Sequence, residues 1–204
     1  MRQLEVINIL KNDLNFTDQS IEKLKEFTKL VLKENKSYNL ISKSTESHIW
    51  LRHILDSAQL VKFIDFSCNS LADLGTGAGF PGLVIEIFNK NKAFHVKLFE
   101  KSPVKRQFLL KVIKELRLNA EVLGDIRDER LDVDIIICRA FKKLDYVIQV
   151  SREIVKKPHK LIILKGQNAQ EEINKSLKAK KYPYKLEKSM TNEESKIIIM
   201  EIGK

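Results

Sequence analysis

The chain reads as a doubly wound α/β fold: a mostly parallel, seven-stranded sheet preceded by an N-terminal helical cap. Three observations predict it. From residue 70 onward, short apolar runs of strand length alternate with amphipathic stretches of helical period, the pattern of a parallel sheet covered on both faces. The first run, 70 to 74, ends in a turn with glycine at every second position, Gly75, Gly77 and Gly79, followed by Pro81 and Gly82. Residues 1 to 62, in contrast, read as helices.

In the cap, Ile21, Leu24, Phe27, Val31 and Leu32 recur at helical spacing behind Thr17, a residue type suited to an N-cap. A second helix is predicted to start near Ser44, with Leu51, Ile54, Leu55, Ala58 and Val61 as its apolar stripe. Strands are expected at 70 to 74, 94 to 99, 120 to 123, 133 to 138 and 159 to 165, with helices near 81 to 90, 103 to 117, 143 to 156 and 168 to 180. Tyr184 to Lys188 and Lys196 to Ile202 have no helical pattern between them. They are expected to close the sheet as an antiparallel hairpin. No repeat or linker separates cap from core, so the expectation is a single domain over 1 to 204, with the cap at 1 to 62 and the α/β core at 70 to 204.

Of 204 residues, 43% are hydrophobic and 31% charged, which excludes a disordered chain. No apolar run has the roughly 18 residues needed to cross a membrane, and Met1 to Glu5 lack signal-peptide organisation. A cytoplasmic protein without membrane contact is expected. Two cysteines, Cys68 and Cys138, make no disulfide framework and no metal cluster, so no metal is expected. The net charge of +10 is uneven: residues 1 to 141 hold 22 basic and 19 acidic side chains, residues 142 to 204 hold 15 and 8. A nucleic-acid partner explains this excess through phosphate neutralisation. Lysine-rich solvated surface from an A+T-biased genome explains it too.

The turn from Asp73 to Gly82 is the candidate cofactor site. Glycines let the backbone turn sharply and approach a ligand, and Pro81 suits the first turn of a helix. Gly77, Gly79 and Gly82 also satisfy dinucleotide spacing. A dinucleotide would set its pyrophosphate at the helix N-terminus, where the Asp73 carboxylate repels it. S-adenosylmethionine (SAM) brings an ammonium and a sulfonium instead. SAM, a dinucleotide and a turn that serves packing alone are the three readings, with Asp73 favouring the first.

Ligands of such sheets bind beyond the carboxyl ends of the strands. There the first strand ends at Asp73 to Gly75 and the second at Glu100, whose carboxylate suits ribose hydroxyls in either nucleoside cofactor. The third ends near Gly124, Asp125, Ile126 and Arg127, where an adenine can lie on Ile126. The fourth ends in Cys138, Arg139, Ala140 and Phe141, beside the expected methyl group.

Taken together, Tyr38-Asn39-Leu40, Arg52 to Ser57, Asp73 to Gly82, Arg139-Ala140-Phe141 and Leu164-Lys165-Gly166 resemble the bacterial guanine-N7 methyltransferases of small-subunit ribosomal RNA, the glucose-inhibited division protein B family. The resemblance implies a class I SAM-dependent methyltransferase fold and methylation of one loop guanine, in the ribosomal RNA or the ribosomal particle. Carried over by position, Gly75, Phe80, Ile126, Arg127 and Arg139 would line the cofactor beside Gly77 and Glu100. The family usually has Ser where Cys138 stands and often Asp where Glu100 stands.

Guanine N7 is itself a lone-pair nucleophile, so no general base is required and catalysis rests on positioning. No residue is assigned as acid or base. Arg139 can bind cofactor or phosphate through its planar fork, or pair with Asp73 or Asp125. Lys165 faces the crevice as a contact to phosphate or guanine O6, or as a solvated lysine. Arg52, His53 and Asp56 can meet on one helix, with Asp56 orienting Arg52 and His53 toward RNA, or forming a local salt bridge. Tyr38 and Asn39 are expected to anchor the cap to the sheet, with contact to the substrate as the other reading of Asn39. A nucleophilic Cys138, as in pyrimidine C5 methyltransferases, is disfavoured because Ile137 rather than Pro precedes it. The Asn/Asp-Pro-Pro-Tyr/Phe motif of exocyclic amino methyltransferases is missing from the fourth strand. An NAD-dependent oxidoreductase would need a Tyr-x-x-x-Lys pair on a helix in the second half; that spacing occurs only at Tyr184 and Lys188, inside a run read as a strand of the terminal hairpin. A non-enzymatic RNA-binding module stands as the remaining alternative.

Overall fold

Thr17 begins the main cap helix as its residue type demands: its side chain accepts a hydrogen bond from Ser20 N at 3.1 Å, satisfying a donor that the helix itself leaves free. A computed structural model describes residues 1–176 and 182–203 of the chain. In it α1 (Gln3–Asn12) and α2 (Asp18–Asn35) bury Val6, Leu10, Ile21, Leu24, Phe27 and Val31 on one side. The helix expected from Ser44 is irregular. It consists of a 3-10 segment (Lys43–His48), a π-helical turn (Trp50–Leu55), the short α3 (Asp56–Ala58) and a second 3-10 segment (Gln59–Phe63). Trp50, His53, Ile54 and Leu55 are all buried. The widened π turn presents that broad apolar face, which a 3.6-residue period would split.

The seven strands are β1 (Ser70–Leu74), β2 (His95–Phe99), β3 (Ala120–Leu123), β4 (Ile135–Arg139), β5 (His159–Lys165), β6 (Tyr184–Lys188) and β7 (Lys196–Ile202), in spatial order β3-β2-β1-β4-β5-β7-β6. The first five are parallel. β7 runs antiparallel between β5 and β6, as a terminal hairpin should. The helices α4 (Gly82–Phe88), α5 (Pro103–Leu116), α6 (Leu144–Ile154) and α7 (Ala169–Ser176) lie between the strands. Of the helix expected over 168 to 180, residues 177 to 180 lie outside the described residues.

Strand alternation sorts the core into two layers. Leu71, Ile135 and Ile137 face α2, α4, α5 and the irregular cap segment, while Ala72, Leu74, Ile136 and Cys138 face α6 and α7. Phe27 of α2 packs its ring 5.0 Å from that of Phe80, so the cap shares the first layer. The buried Gln59 adds polar ties to the β6–β7 turn: its Oε1 accepts from Met190 N at 2.7 Å and its Nε2 donates to Ser189 Oγ at 3.2 Å. Thr191 Oγ1 donates to Asp56 Oδ1 at 2.8 Å.

The parallel registers set Leu74 beside Phe99, Phe99 beside Leu123, and Arg139 beside Leu164, so the strand ends named from the sequence share one edge of the sheet. Gly82 sits tightly below that edge. A Cβ there would meet the Leu98 and Asp73 side chains. Gly82→Ala is therefore expected to lose about 1 to 3 kcal/mol of stability by overpacking, read from urea unfolding. An unchanged midpoint would show that α4 shifts freely against β1 and β2.

Candidate functional site

At the end of β1 the chain turns through Gly75 (φ +72°), Gly77 (φ +61°) and Gly79 (φ +97°), the positive-φ region that glycine enters without steric cost. Asp73, fully buried, accepts from Gly82 N at 2.8 Å and so fastens the far end of the turn to the strand it left. Its carboxyl group is pushed up to about 6 by burial, against the hydrogen bond from Gly82 N and the charge of Arg139, which favour ionisation. Glu100 braces the turn from β2: Oε2 accepts from Gly77 N at 3.0 Å and Oε1 from Ser102 N at 2.8 Å.

Two cavities meet at this turn. A smaller one of about 240 Å³ lies between Glu100, Gly124, Ile126 and Tyr146. A larger cleft of about 760 Å³ runs under the cap between Gly77, Arg52, His53, Arg139 and Lys165. Gly75 and Phe141 line both. Phe141 follows Ala140, whose φ is +50°, and its ring rests where a Cβ on Gly75 would be. A Cβ on Gly77, in contrast, would meet nothing within 4 Å and would project into the cleft.

The structure thus brings Gly75, Gly77, Phe80, Glu100, Ile126 and Arg139 to the two cavities. Ile126, 4% exposed, forms an apolar wall across from Glu100. Arg127 does not line either cavity; its guanidinium bonds Asp125, with Nη2 2.7 Å from Oδ2, and Lys101 approaches the same carboxylate at 2.8 Å. Those two cations hold the half-buried Asp125 carboxyl well below the usual range.

Arg139 pairs with neither Asp73 nor Asp125. Its Nη1 donates to Arg52 O at 2.9 Å and to Asp56 Oδ2 at 3.3 Å, its Nη2 donates to His53 Nδ1 at 2.9 Å, and the guanidinium lies 5.5 Å from the Phe80 ring centre. Because arginine only donates, Nδ1 accepts and the imidazole proton sits on Nε2, 2.8 Å from Thr45 Oγ1. Thr45 Oγ1 in turn donates to Ser42 O at 2.9 Å. His53 is held down to about 3, first by burial and then by Arg139 and Arg52, so it is a neutral, internal link.

This corrects the expected constellation. Asp56 does not orient His53, because the π turn directs the imidazole inward to Arg139 while Asp56 bonds Arg139, Gln59 and Thr191. Arg52 alone of the three is exposed. Lys165 reaches the cleft but is tied down, 2.6 Å from Lys142 O and 2.8 Å from Glu172 Oε2. Tyr38 and Asn39 are exposed; the anchor beside them is Asn35, whose Oδ1 accepts from Leu40 N and Ile41 N. Cys138, 1% exposed, has its thiol pushed up to about 12 by burial, which makes it inert.

Thr45, Lys142, Lys143 and Tyr146 also line the cavities and were not singled out from the sequence. Arg-Ala-Phe pointed toward the last three, since the residues following a strand's carboxyl end reach the crevice. Among the described residues no group of three or more His, Cys, Asp or Glu is placed to hold a metal ion, and no helix is long and apolar enough to cross a membrane.

Residues 20–198 match a family model described as rRNA small subunit methyltransferase G. The ribosomal RNA small subunit methyltransferase G of Pelagibacter ubique is 35% identical over 193 residues, 92% of this chain and 90% of that protein. That of Rickettsia felis is 41% identical over 180 residues, 87% and 91% of the two chains. In fold, the chain is similar to a SAM-dependent methyltransferase from Aquifex aeolicus, with a TM-score of 0.59 at 13% identity over 86% of this chain and 97% of that one. Fibrillarin from Aeropyrum pernix, solved with natively bound SAM, gives 0.53 at 14% identity over 65% and 66%.

The buried Asp73 makes a testable contribution to stability. A carboxyl whose pKa is raised in the folded state binds its proton more tightly there, so ionisation at higher pH costs stability. That cost is absent below the ordinary value near 3.8 and complete above about 6. Asp73→Asn keeps an oxygen for Gly82 N and removes the titration. Urea midpoints are expected to show the variant gaining on the wild type between pH 4 and pH 7, by on the order of 2 to 3 kcal/mol. A difference that stays constant with pH would contradict the assignment.

Proposed function

The chain belongs to the rRNA small subunit methyltransferase G family, and on that premise we propose that it methylates N7 of one guanine in small-subunit (16S) ribosomal RNA. The observation that supports this reading best is the pair of neighbouring cavities that share Gly75 and Phe141 in their walls, one bordered by Glu100 and Ile126 and the other opening under the cap. The protein is a SAM-dependent methyltransferase, and SAM when bound supplies a methyl group on a positively charged sulfur. The site's chemistry suits that cofactor. Gly77 leaves open space toward the cleft, Glu100 retains lone pairs for ribose hydroxyls, and Ile126 offers an apolar face to adenine.

The remaining steps fall to the chain's own residues. N7 attacks through its own lone pair, so the protein has to place the base in line and exclude water rather than remove a proton. The histidine in the cleft fits that division of labour. With Nδ1 occupied by Arg139, the Nε2 proton directed to Thr45 and its pKa held to about 3, His53 does not act as a base. Cys138, buried and protonated, leaves no nucleophile for a pyrimidine C5 mechanism. Arg52, Lys142 and Lys143 stand exposed at the rim, where RNA phosphates would meet them. Lys165 acts through its bonds to the 142 loop and α7, shaping the rim. We further propose that the chain is one domain working in the cytoplasm, on the RNA free or within the small-subunit particle, since cap and sheet share a core layer.

Incubation with 16S ribosomal RNA and methyl-labelled SAM, followed by mapping of the modified base, is expected to give 7-methylguanosine at a single position. No transfer, or a label on a pyrimidine carbon or an exocyclic amine, would overturn the reading. The cofactor assignment has its own check. Gly77 has a positive φ, so valine would be strained there, whereas asparagine tolerates that conformation. Gly77→Asn is expected to weaken SAM binding by about tenfold or more, roughly 1.4 kcal/mol, in calorimetry of a folded variant. Unchanged affinity would place SAM elsewhere.

A further inference from the structure

Arg117 ends α5 in the left-handed conformation, φ +51°, and turns the chain at the amino end of β3, on the edge of the sheet opposite the cofactor cleft. There it faces the turn that leads from α4 into β2, which includes Lys90 and Lys92. Together with Lys23 of α2 these cations line a concavity of about 600 Å³. Lys90, Lys92 and Arg117 are exposed, and none of the three makes an ion pair or side-chain hydrogen bond among the described residues. This sets them apart from Lys97, Lys101, Lys111, Lys157 and Lys165, which all have carboxylate partners.

The turn is held rigidly by asparagines rather than by its own lysines. Asn89 Oδ1 accepts from Asn91 N at 2.9 Å, Asn91 Nδ2 donates to Phe66 O at 2.9 Å, and Asn119 Nδ2 donates to Lys92 O at 3.3 Å and Phe94 O at 3.0 Å. At the floor, buried Glu86 accepts from Asn119 N at 2.9 Å and Asn89 Nδ2 at 3.2 Å, and Lys23 balances its charge. Three cations therefore stand uncompensated on a preorganised backbone, and a rigid site loses little entropy on binding.

We propose that this concavity is a second RNA-backbone site, which grips phosphates of the ribosomal RNA while the target guanine occupies the cleft. The inference rests on the proposed RNA substrate. The two sites lie at opposite ends of five-residue strands, a separation of about 16 Å at 3.3 Å per residue before loops are added. An RNA reaching both must wrap around the β3 side of the protein, so the site favours a large folded RNA over an isolated loop.

The test compares wild type, Lys90→Gln/Lys92→Gln/Arg117→Gln, and a control of equal charge loss, Lys62→Gln/Lys156→Gln/Lys185→Gln, for binding to 16S ribosomal RNA across a salt series. The first variant is expected to flatten the log-log salt slope by about 2 to 3, at 0.7 to 0.9 per lost phosphate contact. Its KM for the RNA is expected to rise several-fold, with kcat and SAM affinity unchanged. The control should leave slope and KM near wild type. An unaltered slope in the folded variant, or an equal change in the control, would overturn the proposal. Absence of methyl transfer by the wild type would instead count against the guanine reading, leaving the slope comparison to decide RNA binding independently.

Discussion

Everything at the mouth of the cleft depends on where the Arg139 guanidinium is held. One planar fork at the end of β4 takes a backbone carbonyl, a carboxylate and an imidazole nitrogen from the same stretch of cap, and lies over the Phe80 ring that follows the glycine turn. A lysine at this point has one compact charge and no fork, so it reproduces at most part of the set. With the Arg139 and Asp56 side chains only 19% and 18% exposed, the pair is shielded from solvent. Such a pair adds little net stability, yet leaving either partner alone is costly. Its consequence is geometric: the cap can sit in one orientation over the glycine turn.

Two further constraints act from below. Asp73 fastens the start of α4 to the end of β1, and Glu100 fastens the middle of the turn to the end of β2, so two adjacent strands each contribute one carboxylate to the same short stretch of backbone. The glycines supply what those bonds need, positive φ at three alternate positions. A site that works by positioning requires this stiffness, because a base with its own lone pair is activated by placement alone. The neutral His53 and the inert Cys138 belong to the same design: both are packed as structure although both have reactive side chains.

The strand and helix order from residue 70 onward was legible, since a parallel sheet buried on both faces writes each strand as an apolar run and each crossover as a helical period. Boundaries at Ser70–Leu74, Tyr184–Lys188 and Lys196–Ile202 agree with the sequence reading. The irregular cap segment did not show itself. A π turn is set by how Trp50, His53, Ile54 and Leu55 fill a common core, which no local propensity encodes. The same limit applies at the site. Gly75, Gly77 and Glu100 could be placed by the rule that ligands meet strand carboxyl ends, whereas the partners of Arg139 and Lys165 come from elements 83 or more and 7 or more residues away and depend on tertiary packing. The excess of charge from residue 142 onward fitted both an RNA partner and a plain solvated surface; Lys157, Lys160, Lys165 and Lys175 are engaged by nearby carboxylates, whereas Lys142 and Lys143 stand exposed at the cleft. Total charge does not reveal which cations remain free.

The claim that one guanidinium sets the cap over the site is tested most directly by amide hydrogen exchange in Arg139→Met, which removes the fork while keeping an apolar stem over Phe80. The account predicts faster exchange in residues 42 to 56 and in the turn around Met190 and Thr191, with β1, β2 and β5 protected as in the wild type. Unchanged exchange in the cap, or a uniform rise along the whole chain, would contradict it.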